Sequence, residues 1–204
     1  MLKNIHYFGP VKENVKSEKD ILLTYLQTVW WSEFREQLPV STLINGKKKV
    51  KEHLNPFFMI YAHGNCVQFR DIAAWEFSKV GVVHLGGKCQ GNPLDGNRTN
   101  LQKIDSGITL ANWRDNTQLH SRYRFCLVME HERDHSAYIT ENILLAFIGG
   151  CIPIYHGPLL IFDIFNKDAF VFYNISDPLQ AREMVLKLEA DRGLHEAMLM
   201  EMKV

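Results

Sequence analysis

The stretch that decides the fold is Arg124-Phe-Cys-Leu-Val-Met-Glu-His131, together with Tyr138-Ile-Thr-Glu-Asn142 and Gly149-Gly-Cys-Ile-Pro-Ile-Tyr-His-Gly157 that follow it. Phe125 to Met129 is a short apolar run, which is typical of a strand buried on both faces. Residues 138–148 carry apolar side chains at helical spacing. We predict a strand, a polar loop, a helix and a second strand, which together form a βαβ unit.

The polar loop of this unit would lie at the carboxyl end of its first strand. Ligands of doubly wound sheets bind at that edge, where the backbone N–H groups and the dipole of the following helix favour an anion. We therefore expect a phosphate-binding unit, and a diphosphate is its natural ligand.

Similar patterns continue on both sides of the unit and predict an α/β fold with a Rossmann-like, largely parallel sheet and right-handed crossovers. Further strands are predicted at 57–63, 81–85 and 169–173. Further helices are predicted at 21–34, 67–80, 178–190 and from Leu194 onward. A loop rich in glycine and asparagine is predicted at 86–107.

Composition narrows the class of protein. A chain of 204 residues with 46% hydrophobic residues can bury an ordinary core. Lys plus Arg equal Asp plus Glu at 23 each, so no overall field attracts nucleic acid or an anionic membrane. No apolar run is long enough for a membrane span, and the first residues lack a signal-peptide core. We expect a soluble chain with no nucleic-acid partner and no membrane segment.

The four cysteines, Cys66, Cys89, Cys126 and Cys151, form no CxxC pair and have no histidine at zinc-site spacing. We expect them to be small buried hydrophobic side chains; a disulfide between Cys66 and Cys89 is the alternative.

Three blocks of this sequence resemble the family 10 fucosyltransferases, the α-1,3/1,4-fucosyltransferases. The first is the βαβ unit, with its acidic residue after a strand, its Tyr-Ile-Thr-Glu and its Pro-Ile-Tyr-His-Gly. The second runs from Asn65-Cys-Val-Gln-Phe-Arg70 to Lys88, and the third begins at Asn166. The matching blocks span Met59 to Asp177, more than half of the chain.

The resemblance implies a GT-B glycosyltransferase, in which an amino-terminal Rossmann-like domain binds the acceptor and a carboxyl-terminal one binds the GDP-sugar. The match falls on the second domain, so we expect residues 56–204 to form the nucleotide-sugar-binding half. Residues 1–55 would be a short amino-terminal region, with the acceptor domain missing or vestigial. The compartment stays open, because members are Golgi-anchored in eukaryotes and cytoplasmic in bacteria.

The activity implied is transfer of L-fucose from GDP-fucose to a glycan hydroxyl with inversion, without a metal or another cofactor. Negative charge develops on the β-phosphate as GDP leaves, so fixed positive charge and aimed N–H donors lower the barrier. The family's general base is a carboxylate in the amino-terminal half. No carboxylate here lies in a matching motif, so the base is unknown.

Arg70 lies where the family places its diphosphate-binding arginine, and a guanidinium matches phosphate oxygens in a bidentate manner. The ordinary alternative is a solvated surface arginine. Lys88 follows a Gly-Gly turn, so it could approach the donor closely and supply a second positive charge.

The remaining candidates come from the βαβ unit. Glu130 is the catalytic candidate, because it corresponds to the acid that in the family ends the strand and approaches the sugar; otherwise it is a strand-end carboxylate that accepts hydrogen bonds from backbone amides. Tyr138 would line the nucleotide pocket, or else pack on the preceding strand. Glu141 would accept from ribose hydroxyls, or else stabilise the helix dipole.

Two positions depart from the family pattern. Asn142 replaces the lysine that contacts the β-phosphate, and His131 replaces an asparagine. His131 can still donate a hydrogen bond near the donor, although a solvated loop histidine is its ordinary alternative. Loss of one preorganised charge costs on the order of 10² to 10³ in rate. The alternative function is therefore a catalytically impaired module that binds a nucleotide sugar or another protein.

Overall fold

The chain folds around one parallel sheet. The computed structural model describes residues 55–91, 93–104, 116–131 and 139–202. The predicted helix at 21–34 and the candidate Tyr138 lie outside these ranges. Within these ranges the sheet has six strands, which are β1 Phe57–Tyr61, β2 Val83–Leu85, β3 Leu101–Lys103, β4 Tyr123–Met129, β5 Ile152–His156 and β6 Val171–Phe172.

The strands of the sheet are ordered β3-β2-β1-β4-β5-β6, and every neighbouring pair is parallel. This is the order of a doubly wound Rossmann-like sheet. The predicted α/β fold with a largely parallel sheet is confirmed. Strands β1 and β4 are neighbours, and their connections lead toward opposite edges of the sheet. The point where the strand order reverses therefore lies between them.

Helices cover the sheet on both sides of this reversal. They are α1 Gln68–Ser78, α2 Asn116–His120, α3 Asn142–Gly149, α4 Pro178–Ala190 and α5 Arg192–Glu201. Two 3-10 turns, Leu159–Asp163 and Lys167–Ala169, join β5 to β6. Helix α1 packs against α4, and α2 packs against α3.

The core is built on the apolar runs of the central strands. All residues of β4 except Arg124 are buried, as expected for a parallel strand covered on both faces. Helix α3 buries five consecutive residues, Ile143 to Phe147. It ends in a Schellman motif at Gly150, where φ is +69° and the N–H groups of Gly150 and Cys151 donate to Phe147 and Ala146.

Several element boundaries differ from the sequence prediction. Strand β3 falls within the predicted loop 86–107, because two of its three residues are exposed and it carries no apolar pattern. Helix α3 begins at Asn142 instead of residue 138, and Ile139 is buried ahead of it. Helix α5 begins at Arg192, because the Asp191 side chain accepts from the N–H of Leu194 and caps it there.

The expectation of four unpaired cysteines is wrong. Cys66 is bonded to Cys89, which was the alternative, and Cys126 is bonded to Cys151, which the spacing did not suggest. The Cα atoms lie 5.2 Å and 5.9 Å apart, within the ordinary range for disulfides. Parallel pairing of β4 with β5 places Cys126 opposite Pro153, two residues beyond Cys151, so this contact depends on tertiary structure.

Candidate functional site

The candidate site lies at the carboxyl ends of β1 and β4. We call this region the crossover edge: the loop after β1, residues 62–67, and residues 130–131 after β4, with residues 139–142 leading into α3. Open α/β sheets bind their ligands at such a reversal of strand order. The predicted phosphate-binding unit and the Arg70 block therefore meet at one edge of the sheet.

Arg70 joins the two sides of the crossover edge. Its Nη1 donates to the Asn65 carbonyl oxygen at 3.0 Å, and its Nη2 donates to the Met129 carbonyl oxygen at 2.5 Å. The side chain is 5% exposed, so it is not a solvated surface arginine. A buried positive charge therefore stands between the loop after β1 and the end of β4.

Glu130 is the buried carboxyl group of this edge, with 2% of the residue exposed. Its Oε1 accepts from the Thr140 backbone N–H at 2.9 Å, and its Oε2 accepts from the Thr140 hydroxyl at 3.0 Å. The backbone N–H of Glu130 donates to the His156 carbonyl oxygen at 2.8 Å. The Glu130 carboxylate thus accepts a hydrogen bond from a backbone amide, as expected for a strand-end carboxylate. Its contact with a sugar stays a prediction.

Burial raises the pKa of Glu130 to about 7. The two hydrogen bonds from Thr140 oppose this rise, as does the positive charge of Arg70, whereas the neighbouring Glu141 adds to it. Desolvation is the largest of these effects, so Glu130 holds its proton more tightly than an ordinary glutamate.

Thr140 connects Glu130 to the start of α3. Its hydroxyl accepts from Asn142 Nδ2 at 2.8 Å and donates in turn to the carboxylate of Glu130. Its own backbone N–H is also bound to Glu130, so this contact fixes Thr140 two residues ahead of the start of α3. Thr140 belongs to a quoted motif, but its side-chain role could not be read from the sequence.

Glu141 and Asn142 are both half-buried at the first turn of α3. Glu141 occupies the position before the helix, and burial raises its pKa. Its carbonyl oxygen accepts the N–H of Leu145, so the residue is fixed at the start of the helix. The amide of Asn142 is turned back toward Thr140.

His63 is a further residue of the crossover edge that the sequence patterns did not single out as functional. Burial, reinforced by the positive charge of Arg70, lowers its pKa to about 3. The ring is therefore neutral, and Nε2 donates to the Leu127 carbonyl oxygen at 3.0 Å. Its place directly after β1 was the available signal, because chain segments that follow central parallel strands line such sites.

Lys88 and His131 are both exposed. Lys88 follows β2, and its backbone N–H donates to the His63 carbonyl oxygen at 3.1 Å, which joins the two loops. Glycine is required at position 87, because a Cβ atom there would lie 2.2 Å from the same carbonyl oxygen. The structure therefore places Lys88 beside the crossover edge and His131 within it.

Gly157 closes the motif Pro-Ile-Tyr-His-Gly for a similar reason. A Cβ atom at this position would lie 2.3 Å from the Tyr155 hydroxyl and 2.8 Å from Cγ of Glu130. The Tyr155 hydroxyl is buried and has no hydrogen-bond partner among the described residues. Burial, with the nearby Glu130, raises the pKa of Tyr155. Gly157 therefore lets β5 approach the buried carboxyl group.

Within the described ranges, no group of three His, Cys, Asp or Glu side chains is arranged to hold a metal ion. No described helix is long and apolar enough to cross a membrane. Metal-independent binding of a donor stays a prediction.

Three solved structures that are similar to this chain are α1,3-fucosyltransferases. One, determined with GDP-fucose, is 22% identical over 84% of this chain and 46% of that chain, with a TM-score of 0.56. Another is 18% identical and covers 97% of this chain and 58% of that chain, with a TM-score of 0.58. A third, determined with GDP, is 22% identical, with a TM-score of 0.57. This chain spans about half the length of these proteins. No family model matches it. The chain has a fucosyltransferase-like glycosyltransferase fold.

The raised pKa of Glu130 predicts a pH-dependent stability. The folded state binds this proton more tightly than the unfolded state does. The stability that protonated Glu130 contributes to the folded state is therefore complete below pH 4.5 and is lost as the pH rises through about 7. Replacing Glu130 by Gln should remove this loss, which is at most about 3 kcal/mol.

Urea unfolding at pH 5 and pH 8 measures the effect. Glu183→Gln, which changes an exposed glutamate of α4, is the matched control and should keep the wild-type difference between the two pH values. An equal difference in wild type and Glu130→Gln would contradict the assignment.

Proposed function

We propose that this chain binds GDP-fucose at the crossover edge and that the protein transfers L-fucose from it to a glycan hydroxyl with inversion. The observation that carries the proposal is the buried Arg70 guanidinium at the reversal of strand order, beside the start of α3. The likeness to fucosyltransferases solved with GDP-fucose and with GDP supports the choice of donor.

Arg70 would attract the diphosphate through its charge. Two of its N–H donors bind backbone carbonyls on either side of the edge, so the guanidinium is held in place before a ligand arrives. A preorganised charge stabilises the developing anion of a leaving diphosphate without the cost of reorganisation. The α3 dipole would act in the same direction.

The other candidates would fix the nucleotide and the sugar. Glu141, half-buried before α3, would accept from ribose hydroxyls, and Tyr138 would line the nucleotide pocket. Lys88 and His131 are exposed and would reach the phosphates or the sugar from the rim. Glu130 is committed to Thr140, so we assign it to positioning the α3 start.

A catalytically impaired binding module is the second candidate. Asn142 favours the binding module, because the fucosyltransferase family that this sequence resembles has a phosphate-binding lysine at this position. The amide of Asn142 is neutral and donates to Thr140 instead. No general base is assigned, because acceptor activation would need a carboxylate outside the matched blocks.

Calorimetry with GDP, GDP-fucose, UDP and CMP tests donor binding. GDP and GDP-fucose should bind to the wild-type chain. Arg70→Gln should weaken GDP binding by about 1.5 to 3 kcal/mol, which is the scale of a charged hydrogen bond. Guanosine binding should stay nearly unchanged in this variant, because guanosine has no phosphate. Arg70→Gln should also lower stability, because Arg70 joins the loop after β1 to the end of β4. Arg182→Gln, which breaks an ion pair with Glu76 on α1, is the control. Binding of UDP but not GDP, or of neither, would refute the proposal.

Asn142→Lys separates transferase from binding module. In a transferase weakened by the missing charge, the lysine should raise GDP-fucose turnover mainly through kcat, since the charge acts on the transition state. In a binding module, GDP affinity should rise while turnover stays at background. Asn142→Met is the matched neutral control, because it also loses the bond to Thr140. No change in either quantity would mean that residue 142 does not face the diphosphate.

A further inference from the structure

The connection between β2 and β3 contains the sequence Asn97-Arg98-Thr99, which has the form Asn-x-Ser/Thr recognised in N-linked glycosylation. All three residues are exposed. The motif alone is common, so whether Asn97 is glycosylated depends on its local geometry and on the compartment in which the chain folds.

The side chains of this motif are arranged around the Asn97 amide. The Thr99 hydroxyl donates to Asn97 Oδ1 at 2.8 Å, and the Thr99 backbone N–H donates to the same oxygen at 3.0 Å. A backbone N–H can only donate, so this contact identifies the oxygen of the amide. Asn97 Nδ2 makes no hydrogen bond with the described residues, so a substituent on that nitrogen would displace no contact.

The loop that carries Asn97 is anchored on both sides of the motif. Trp75 Nε1 donates to Asp95 at 3.1 Å, and Asn100 Nδ2 donates to the Ser78 carbonyl oxygen at 2.8 Å. Residues 97–100 precede β3 and therefore lie at the amino-terminal edge of the parallel sheet, opposite the crossover edge. A glycan on Asn97 would leave the candidate site open.

The cysteines indicate the compartment. All four cysteines of the chain are paired in the two disulfides. Disulfides persist in secreted proteins and in the endoplasmic reticulum lumen and are rare in the cytosol. N-linked glycans are added in the same oxidising lumen, so the disulfides and the exposed motif agree.

A second motif, Asn174-Ile175-Ser176, provides an internal comparison. Asn174 is exposed, and its Oδ1 accepts from the Ser176 backbone N–H at 3.0 Å, but the Ser176 hydroxyl makes no contact with it in the described structure. It follows β6 at the carboxyl edge, beside Tyr173, whose carbonyl oxygen bonds to His156. Only Asn97 combines the hydroxyl contact with a position away from the site.

We propose that Asn97 is an N-glycosylation site. Its Nδ2 attacks the anomeric carbon of a lipid-diphosphate-linked oligosaccharide on an oligosaccharyltransferase. The nitrogen–carbon bond forms, the bond from that carbon to the phosphate oxygen breaks, and the lipid diphosphate leaves. One Nδ2 proton passes to a base of the transferase. The assignment is independent of what binds at the crossover edge.

The test is production of the chain through a eukaryotic secretory pathway, followed by peptide N-glycosidase and mass spectrometry. One glycan should be released, leaving aspartate in place of Asn97. Thr99→Ala should abolish the glycan, Thr99→Ser should retain it, and Asn174→Gln should not affect it. Modification at Asn174 alone, or a secreted chain with both disulfides formed and no glycan, would overturn the proposal.

Discussion

The buried contact between the Glu130 carboxyl group and Thr140 is the constraint on which the crossover edge depends. Glu130 ends β4, binds the neighbouring β5 through its backbone N–H, and holds both the N–H and the hydroxyl of Thr140. Thr140 is thereby tied to the end of β4, and α3 begins two residues later. One buried side chain therefore ties the end of β4 to the segment that leads into α3.

A buried carboxyl group is costly unless its hydrogen bonds are satisfied. Here the Thr140 N–H and hydroxyl donate to the Glu130 carboxyl group, and both these bonds and the positive charge of Arg70 lower its pKa. Desolvation is the larger effect and still raises the Glu130 pKa to about 7. Arg70 in turn joins the loop after β1 to the end of β4. The two ionisable groups together fix the edge of the sheet where an anionic ligand would bind.

The sequence predicted the elements that carry a clear apolar pattern. Strand β4 and helix α4 lie where their patterns placed them, because a parallel strand buried on both faces leaves a continuous apolar run and an amphipathic helix leaves apolar residues at helical spacing. Strand β3 was missed because it is a short, half-exposed edge strand. The start of α3 was misplaced because Ile139 is buried ahead of the helix, so the apolar spacing continues beyond the helix itself. The sequence singled out Arg70 as a candidate, but its role in joining the loop after β1 to the end of β4 depends on the Met129 carbonyl oxygen, 59 residues away.

We propose that a nucleoside diphosphate binds at the reversal of strand order, where Arg70 and the start of α3 meet. A crystal structure of the chain grown with GDP tests it most directly. We predict that the diphosphate lies between the carboxyl ends of β1 and β4, within hydrogen-bond distance of Arg70 or of the first backbone amides of α3. Density for GDP at another edge of the sheet, with the crossover edge holding only water, would contradict the account.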